Sequence, residues 1–202
     1  MAAYALSQYA APATEPIGLE EAKQHLRVYI NDDDALIARL IAGARAACEL
    51  ATARQLVTAT WELRLDGFPS GLEPIYLPLG KLQSVTHIKY LDADGTEQTF
   101  SSANYRVGSY REPAEITLAY QQSWPELRGV RDQVTVRFVC GYGADTAVPQ
   151  LLKQGMLLHI GSAYMFREDI AASMPKLPRA AEDIFAQFAL GDEFHVYQHG
   201  AN

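Results

Sequence analysis

Three consecutive acids, Asp32, Asp33 and Asp34, are the first place in this 202-residue chain where side chains could converge on a cation. A calcium loop of the EF-hand type needs oxygens at alternate positions, a glycine at the sixth and a glutamate at the twelfth. Counted from Asp32, the sixth residue is Ile37 and the twelfth is Gly43, so the spacing fails. Acids ahead of an apolar periodic run are instead what a helix N-terminus selects, by capping and by the positive end of its dipole. Asp92 and Asp94 beside Gly95 offer two more carboxylates. Two ligands do not fill a calcium shell, and these residue types read as a hairpin turn.

The remaining chemistry-bearing residues are equally sparse. Gly141-Tyr142-Gly143 stands between an expected strand and an expected helix, where a phosphate loop would lie. No GxGxxG and no GK[ST] accompanies it, so a glycine turn at a tight junction is the better reading. The histidines are His25, His87, His159, His195 and His199, and no pair of them shows HExxH spacing. No Gly-x-Ser-x-Gly elbow exists, and Cys48 and Cys140 sit in no nucleophile motif. Two cysteines make neither a disulfide framework nor a thiolate zinc site, and they read as small buried apolar residues. No catalytic residue, metal ligand or cofactor site is expected, and the chain reads as a non-enzyme.

The elements that would carry any site fall into a clear order. Residues 1–16 read as a flexible lead broken by Pro12 and Pro16. Gly18 opens a short helix to about Val28, with Leu19, Ala22 and Leu26 as its stripe. A longer helix runs from about Asp33 to Thr52. Leu36, Ile37, Leu40, Ile41, Ala44, Ala47, Cys48 and Ala51 follow the three-to-four spacing. From Thr58 the period changes to two: Trp61, Leu63 and Leu65 alternate with polar neighbours. Further strands are expected at 84–91, 96–100, 105–107, 116–120 and 134–139. Helix returns at Val148 with Pro149 and an apolar face from Leu151 to Phe166. A last short helix lies within Ala180–Leu190, after the breakers Pro175 and Pro178.

This order predicts an α+β fold: a small helical bundle of N- and C-terminal helices with an inserted antiparallel β subdomain. The expected boundaries are a lead at 1–16, a helical core at 17–56 and 146–170, a β insertion at 57–145 and a C-terminal arm at 171–202.

Composition narrows the function. Apolar residues make up 49% and charged residues 20%, a globular balance that excludes global disorder. There are 24 acids against 17 bases, a net charge of −7, and no cluster of Lys or Arg to grip phosphate. Leu151 to Phe166, the most apolar stretch, holds Lys153, Gln154 and His159 and falls short of a membrane span. With no basic segment leading into an apolar run, a cytosolic product is expected.

An ordered series of segments then becomes specific. Pro16-Ile17-Gly18-Leu19-Glu20-Glu21-Ala22-Lys23-Gln24-His25-Leu26-Arg27 precedes Asp32-Asp33-Asp34-Ala35-Leu36-Ile37, then Ala46-Ala47-Cys48-Glu49 and Thr60-Trp61. Ile75-Tyr76-Leu77-Pro78, Leu82-Gln83-Ser84-Val85, Ile88-Lys89-Tyr90, Asp94-Gly95, Phe138-Val139-Cys140-Gly141-Tyr142 and Val148-Pro149 follow. From about Pro16 to Glu168 the chain resembles the head–tail connector (adaptor) family of tailed double-stranded DNA phages and gene transfer agents. Gly18 stands where that family often has a polar cap.

The resemblance implies a ring homo-oligomer, a dodecamer, below the portal protein, extending the channel and docking a stopper or tail-completion protein. Double-stranded DNA would pass through without specific binding, and no membrane is involved. The implied location is the neck of the virion, reached by assembly in the host cytoplasm. Small residues on the long helix, Ala44 and Ala47, are the expected ring interface. Family members dock on the portal through their C-terminal region, which assigns portal docking to Ile184, Phe185, Phe188, Phe194 and Tyr197. The competing readings are another virion completion component, such as a stopper or tail-completion protein, or a stand-alone β binding module.

Overall fold

The computed structural model describes residues 4–166 and 177–191. Its described residues form four α-helices and eight strands in two antiparallel sheets, a mixed α+β fold. The chain divides into a helical unit, within 13–57 and 142–189, and a β unit, within 1–12, 58–141 and 190–202.

In the helical unit, α1 spans Leu19–Leu26 and α2 spans Asp34–Thr52. After the β unit come α3, Gln150–Met165, and α4, Arg179–Ala186. Apolar spacing dictates which faces turn inward: Ile37, Ile41, Ala44 and Cys48 of α2 meet Leu152, Met156 and Ile160 of α3 in one buried cluster. Ala181 and Phe185 of α4 belong to the same cluster. Gly18 caps α1 with no side-chain hydrogen bond, while Glu20 and Glu21 lie in the first turn, where the dipole favours acids. α1 and α2 both stop at a non-glycine residue in the left-handed region, Arg27 at φ 57° and Ala53 at φ 54°.

In the β unit, β1 is Tyr4–Ala10, β2 Ala59–Leu65, β3 Ile75–Leu77 and β4 Leu82–Leu91. Then follow β5 Glu97–Phe100, β6 Tyr105–Gly108, β7 Ala114–Leu118 and β8 Val134–Cys140. One sheet has the order β1-β2-β8-β4-β5 and the other β3-β7-β6. The period-two alternation sends Leu63, Leu65, Val134, Val136, Phe138 and Ile88 into a core shared with Ile75, Leu77, Ala114 and Ile116 of the second sheet. Aromatic rings close that core: Phe68 stacks on Trp124 with centroids 4.6 Å apart, and Phe100 lies 5.3 Å from Trp124.

The N-terminal segment corrects the expected flexible lead. Tyr4–Ala10 is strand β1, paired antiparallel to β2 with Leu6 opposite Leu63 and Ser7 opposite Glu62. Leu6 packs against the β core, so pairing across some 55 residues of chain orders a segment whose own composition carries little signal.

Candidate interaction surfaces

Asp33, Asp34 and Asp92 are engaged by the fold. Asp33 is the N-cap residue of α2, yet its side chain makes no cap hydrogen bond; the Tyr164 hydroxyl donates to its carboxylate instead. Asp34 accepts from Nζ of buried Lys23 at 2.7 Å, and the same ammonium donates to Asn31 Oδ1 at 2.7 Å. The acidic run thus ties α1, α2 and α3 together. Asp92 Oδ1 accepts from the backbone N–H of Asp94 at 3.1 Å and of Thr96 at 2.8 Å, and Oδ2 accepts from Gln98 at 2.9 Å. The Gln98 bond, then that from Thr96, holds this carboxyl below its ordinary range. Gly95 sits at φ 86°, as the turn requires. Gly141 and Gly143, at φ 123° and 126°, form the junction between strand β8 and the return to the helical unit.

Cys48 and Cys140 are both buried, and burial, then the Glu49 charge, pushes the Cys48 thiol up, away from reactivity. His159 is 9% exposed, and its Nδ1 is buried without a hydrogen-bond partner; burial lowers its pKa. Burial, then the nearby Arg137 and Lys89 charges, also lowers that of His87. His195 and His199 lie outside the described residues. Among the described residues no three His, Cys, Asp or Glu side chains gather as a metal site, and no helix is long and apolar enough to cross a membrane.

What the fold does present are surfaces. The outer face of the five-stranded sheet carries Glu62, Arg64, His87, Lys89 and Arg137. Arg137 Nε donates to Glu62 Oε1 at 2.9 Å, and its guanidinium lies 3.6 Å from the Tyr9 ring centroid. Burial pushes Glu62 up, but Arg137 and Arg64 outweigh it and leave the carboxyl below its ordinary value. An open cleft of about 240 Å³ on the β unit is lined by charges of both signs, with Lys89 already paired to Glu97. Nothing in it is arranged for proton transfer or nucleophilic attack.

The sequence model of the phage gp6-like head–tail connector protein family matches residues 16–118, just over half of the chain. The chain belongs to that family. No curated protein matches this connector in sequence. Its fold is similar to that of a chain in the neck of an empty gene transfer agent particle computed with C6 symmetry. That pair has a TM-score of 0.75 and 23% identity over 92% of this chain and 95% of the other. A chain in the virion of a native gene transfer agent particle gives the same values. One in the neck of a native particle computed with C12 symmetry gives a TM-score of 0.72 and 22% identity over the same shares.

The connector's expected interface residues are placed unequally. Phe185 is fully buried in the helical core, so in this conformation it offers a partner no surface; its ring is held where the missing side chain of Gly155 leaves room. Ile184 and Phe188 are half-buried against the same core. Phe194 and Tyr197 lie outside the described residues. Ala44 is 1% exposed inside the helical core, which removes it from any outer seam, whereas Ala47 is half-buried. Beside Ala47 on the outside of α2, the small residues Gly43 and Ala46 are exposed, and so is Leu50, which the sequence reading did not single out. Their signal was available, since Gly43, Ala46 and Leu50 recur at three-to-four spacing on the face away from Ile37 and Ile41.

Proposed function

We propose that this connector is the head–tail adaptor of a tailed phage or phage-like particle. Twelve copies form a ring below the portal, extend the DNA channel and present a platform to the stopper or tail-completion protein. The family match over residues 16–118 carries the reading. The likeness of fold to chains from particle necks supports it. The protein acts by shape and charge in the neck of the virion, without a catalytic step, after assembly in the host cytoplasm. A net charge of −7 repels phosphate, so DNA slides past the ring instead of adhering to it. The helices form a small bundle that contributes to the ring, with Ala47 and its exposed α2 neighbours at a seam. Ile184 and Phe188, with the C-terminal Phe194 and Tyr197, face the portal, while Phe185 fastens α4 to its own unit.

Negative-stain images of the purified chain mixed with its portal protein test this. A ring stacked coaxially on the portal is the expected result. A chain that leaves the portal bare at micromolar concentrations of both overturns the adaptor reading.

A further inference from the structure

Strand edges are the surfaces that folded proteins guard most carefully, because a row of unpaired backbone groups templates pairing with another chain. Guarding takes the form of short strands, charges, proline or β-bulges. Among the described residues, three of the four outermost strands are guarded by shortness, two of them also by charge. β3 has three residues; β6 has four and carries Arg106; β5 has four and carries Glu97. β1 is different. It is seven residues long, Tyr-Ala-Leu-Ser-Gln-Tyr-Ala, with neither charge nor proline and a register shift only at its end, between Gln8 and Ala10, and it forms one edge of the five-stranded sheet. Ala5 and Ser7 to Ala10 are all exposed. Tyr4 to Gln8 pair regularly with β2, a longer plain run than β3, β5 or β6 offers as an outermost strand.

The same sheet supplies a mate for it. Four successive antiparallel pairings separate β1 from β5, so the two edge strands run in the same direction. A contact between the β1 edge of one copy and the β5 edge of the next is therefore head-to-tail and parallel, and it uses two different surfaces. Closed rings require that kind of contact, whereas a β1-to-β1 contact is self-complementary and stops at a dimer. The short β5 makes each junction weak by itself, which suits a ring that closes by many copies at once.

We propose that the free edge of β1 is the docking site for a second copy of this chain, through the free edge of that copy's β5. The inference rests on the ring proposed above and says which surfaces meet. Ser7 and Thr99 mark the two edges: each points to the outer face of the sheet, opposite Glu62 and Lys89 respectively.

Disulfide trapping decides it. Within one copy the two edges are four strand spacings apart, roughly 19 Å, beyond the roughly 7 Å between Cα atoms that a disulfide spans. A bond between them must join two copies, and the native Cys48 and Cys140 are buried and silent. Under mild oxidation, Ser7→Cys/Thr99→Cys and the register-shifted Ala5→Cys/Thr99→Cys are compared with the three single variants. A ladder of dimers, trimers and larger species from at least one double variant, cleared by reductant and absent from every single variant, is the expected result. Dimers from Ser7→Cys or Ala5→Cys alone overturn the head-to-tail pairing, and no cross-link from either double variant overturns the edge contact. Wild-type rings on the portal without any ladder leave the adaptor reading standing and remove this one; a ladder from a chain that ignores the portal does the reverse.

Discussion

Gly155→Ala separates two accounts of the C-terminal helix by the sign of a single measurement. Gly155 is in the interior of α3, a position where alanine ordinarily stabilises a helix by about 0.5–1 kcal/mol. If α4 were an arm free to leave for the portal, that gain would stand. With α4 docked, a Cβ on residue 155 meets the Phe185 ring at 2.6 Å, with two more ring atoms at 3.2 Å. Phe185 is fully buried and cannot swing into solvent, so ring or helix must shift. Overpacking of this kind costs about 1–3 kcal/mol. The clash outweighs the propensity, and the expected net effect is a loss of about 1 kcal/mol, or roughly 2–4 °C in Tm for a chain of this size.

The assay is thermal unfolding followed by circular dichroism on wild type, Gly155→Ala, Phe185→Leu and the double variant. Leucine shortens the side chain where the new Cβ intrudes, so the double variant is expected to lose at least 0.5 kcal/mol less than the two single losses together, an order-of-magnitude figure for touching residues. A higher Tm for Gly155→Ala, or strict additivity in the double variant, refutes the docked helix.

Deleting residues 179–202 removes Phe185 and Ala181 from the helical core and is expected to lower Tm by more than Gly155→Ala does, since loss of a buried Phe alone costs about 3–5 kcal/mol; an unchanged melting curve contradicts this. Glu49 accepts from Arg45 at 2.9 Å, Gln55 at 2.7 Å and the Leu56 N–H at 3.1 Å, so Glu49→Ala removes the acceptor of three part-buried hydrogen bonds and is expected to cost about 2–3 kcal/mol by urea unfolding, with Glu49→Gln milder. Burial holds the His159 imidazole below its ordinary value, so on acidification the unfolded chain takes its proton first. Stability is expected to fall as pH drops through about 6.5 towards the lower folded-state pKa, and to fall less in His159→Leu; an equal slope in the two refutes it. In Gly95→Ala a Cβ lies 1.7 Å from Nη1 of Arg128, a flexible end that can move away, so the φ of 86° decides, and the loss expected by thermal melting is about 1 kcal/mol.

Where pattern and neighbour in sequence coincide, the fold was legible. The inward face of α2 is the three-to-four repeat through Ile37, Ile41, Ala44 and Cys48, and the inward face of β2 is the alternation through Trp61, Leu63 and Leu65. β1 was not legible, because its order comes from pairing with β2 and a single inward Leu6, and no local pattern reports a partner that distant. The acidic run shows the same divide at the level of one residue. Its helix-start position could be read from the sequence, but the Asp33 carboxylate is claimed by Tyr164, 131 residues away.

Interaction surfaces are harder to read than cores for a physical reason. An apolar stripe on a short helix is the same stripe whether it covers its own unit or a partner, so Ile184, Phe185 and Phe188 alone could not say which. The informative residue was elsewhere. A glycine within an otherwise apolar helix loses propensity and is retained where something must approach closely, and the approach at Gly155 is by Phe185. Among the described residues no cluster of His, Cys, Asp or Glu marks a metal site, so surfaces have to be read from what a solitary chain leaves uncovered. By that criterion the uncharged edge strand at Tyr4–Ala10 and the outer side of α2 at Gly43, Ala46 and Leu50 are where a partner is expected to meet this connector, and the buried Phe185 is where it is not.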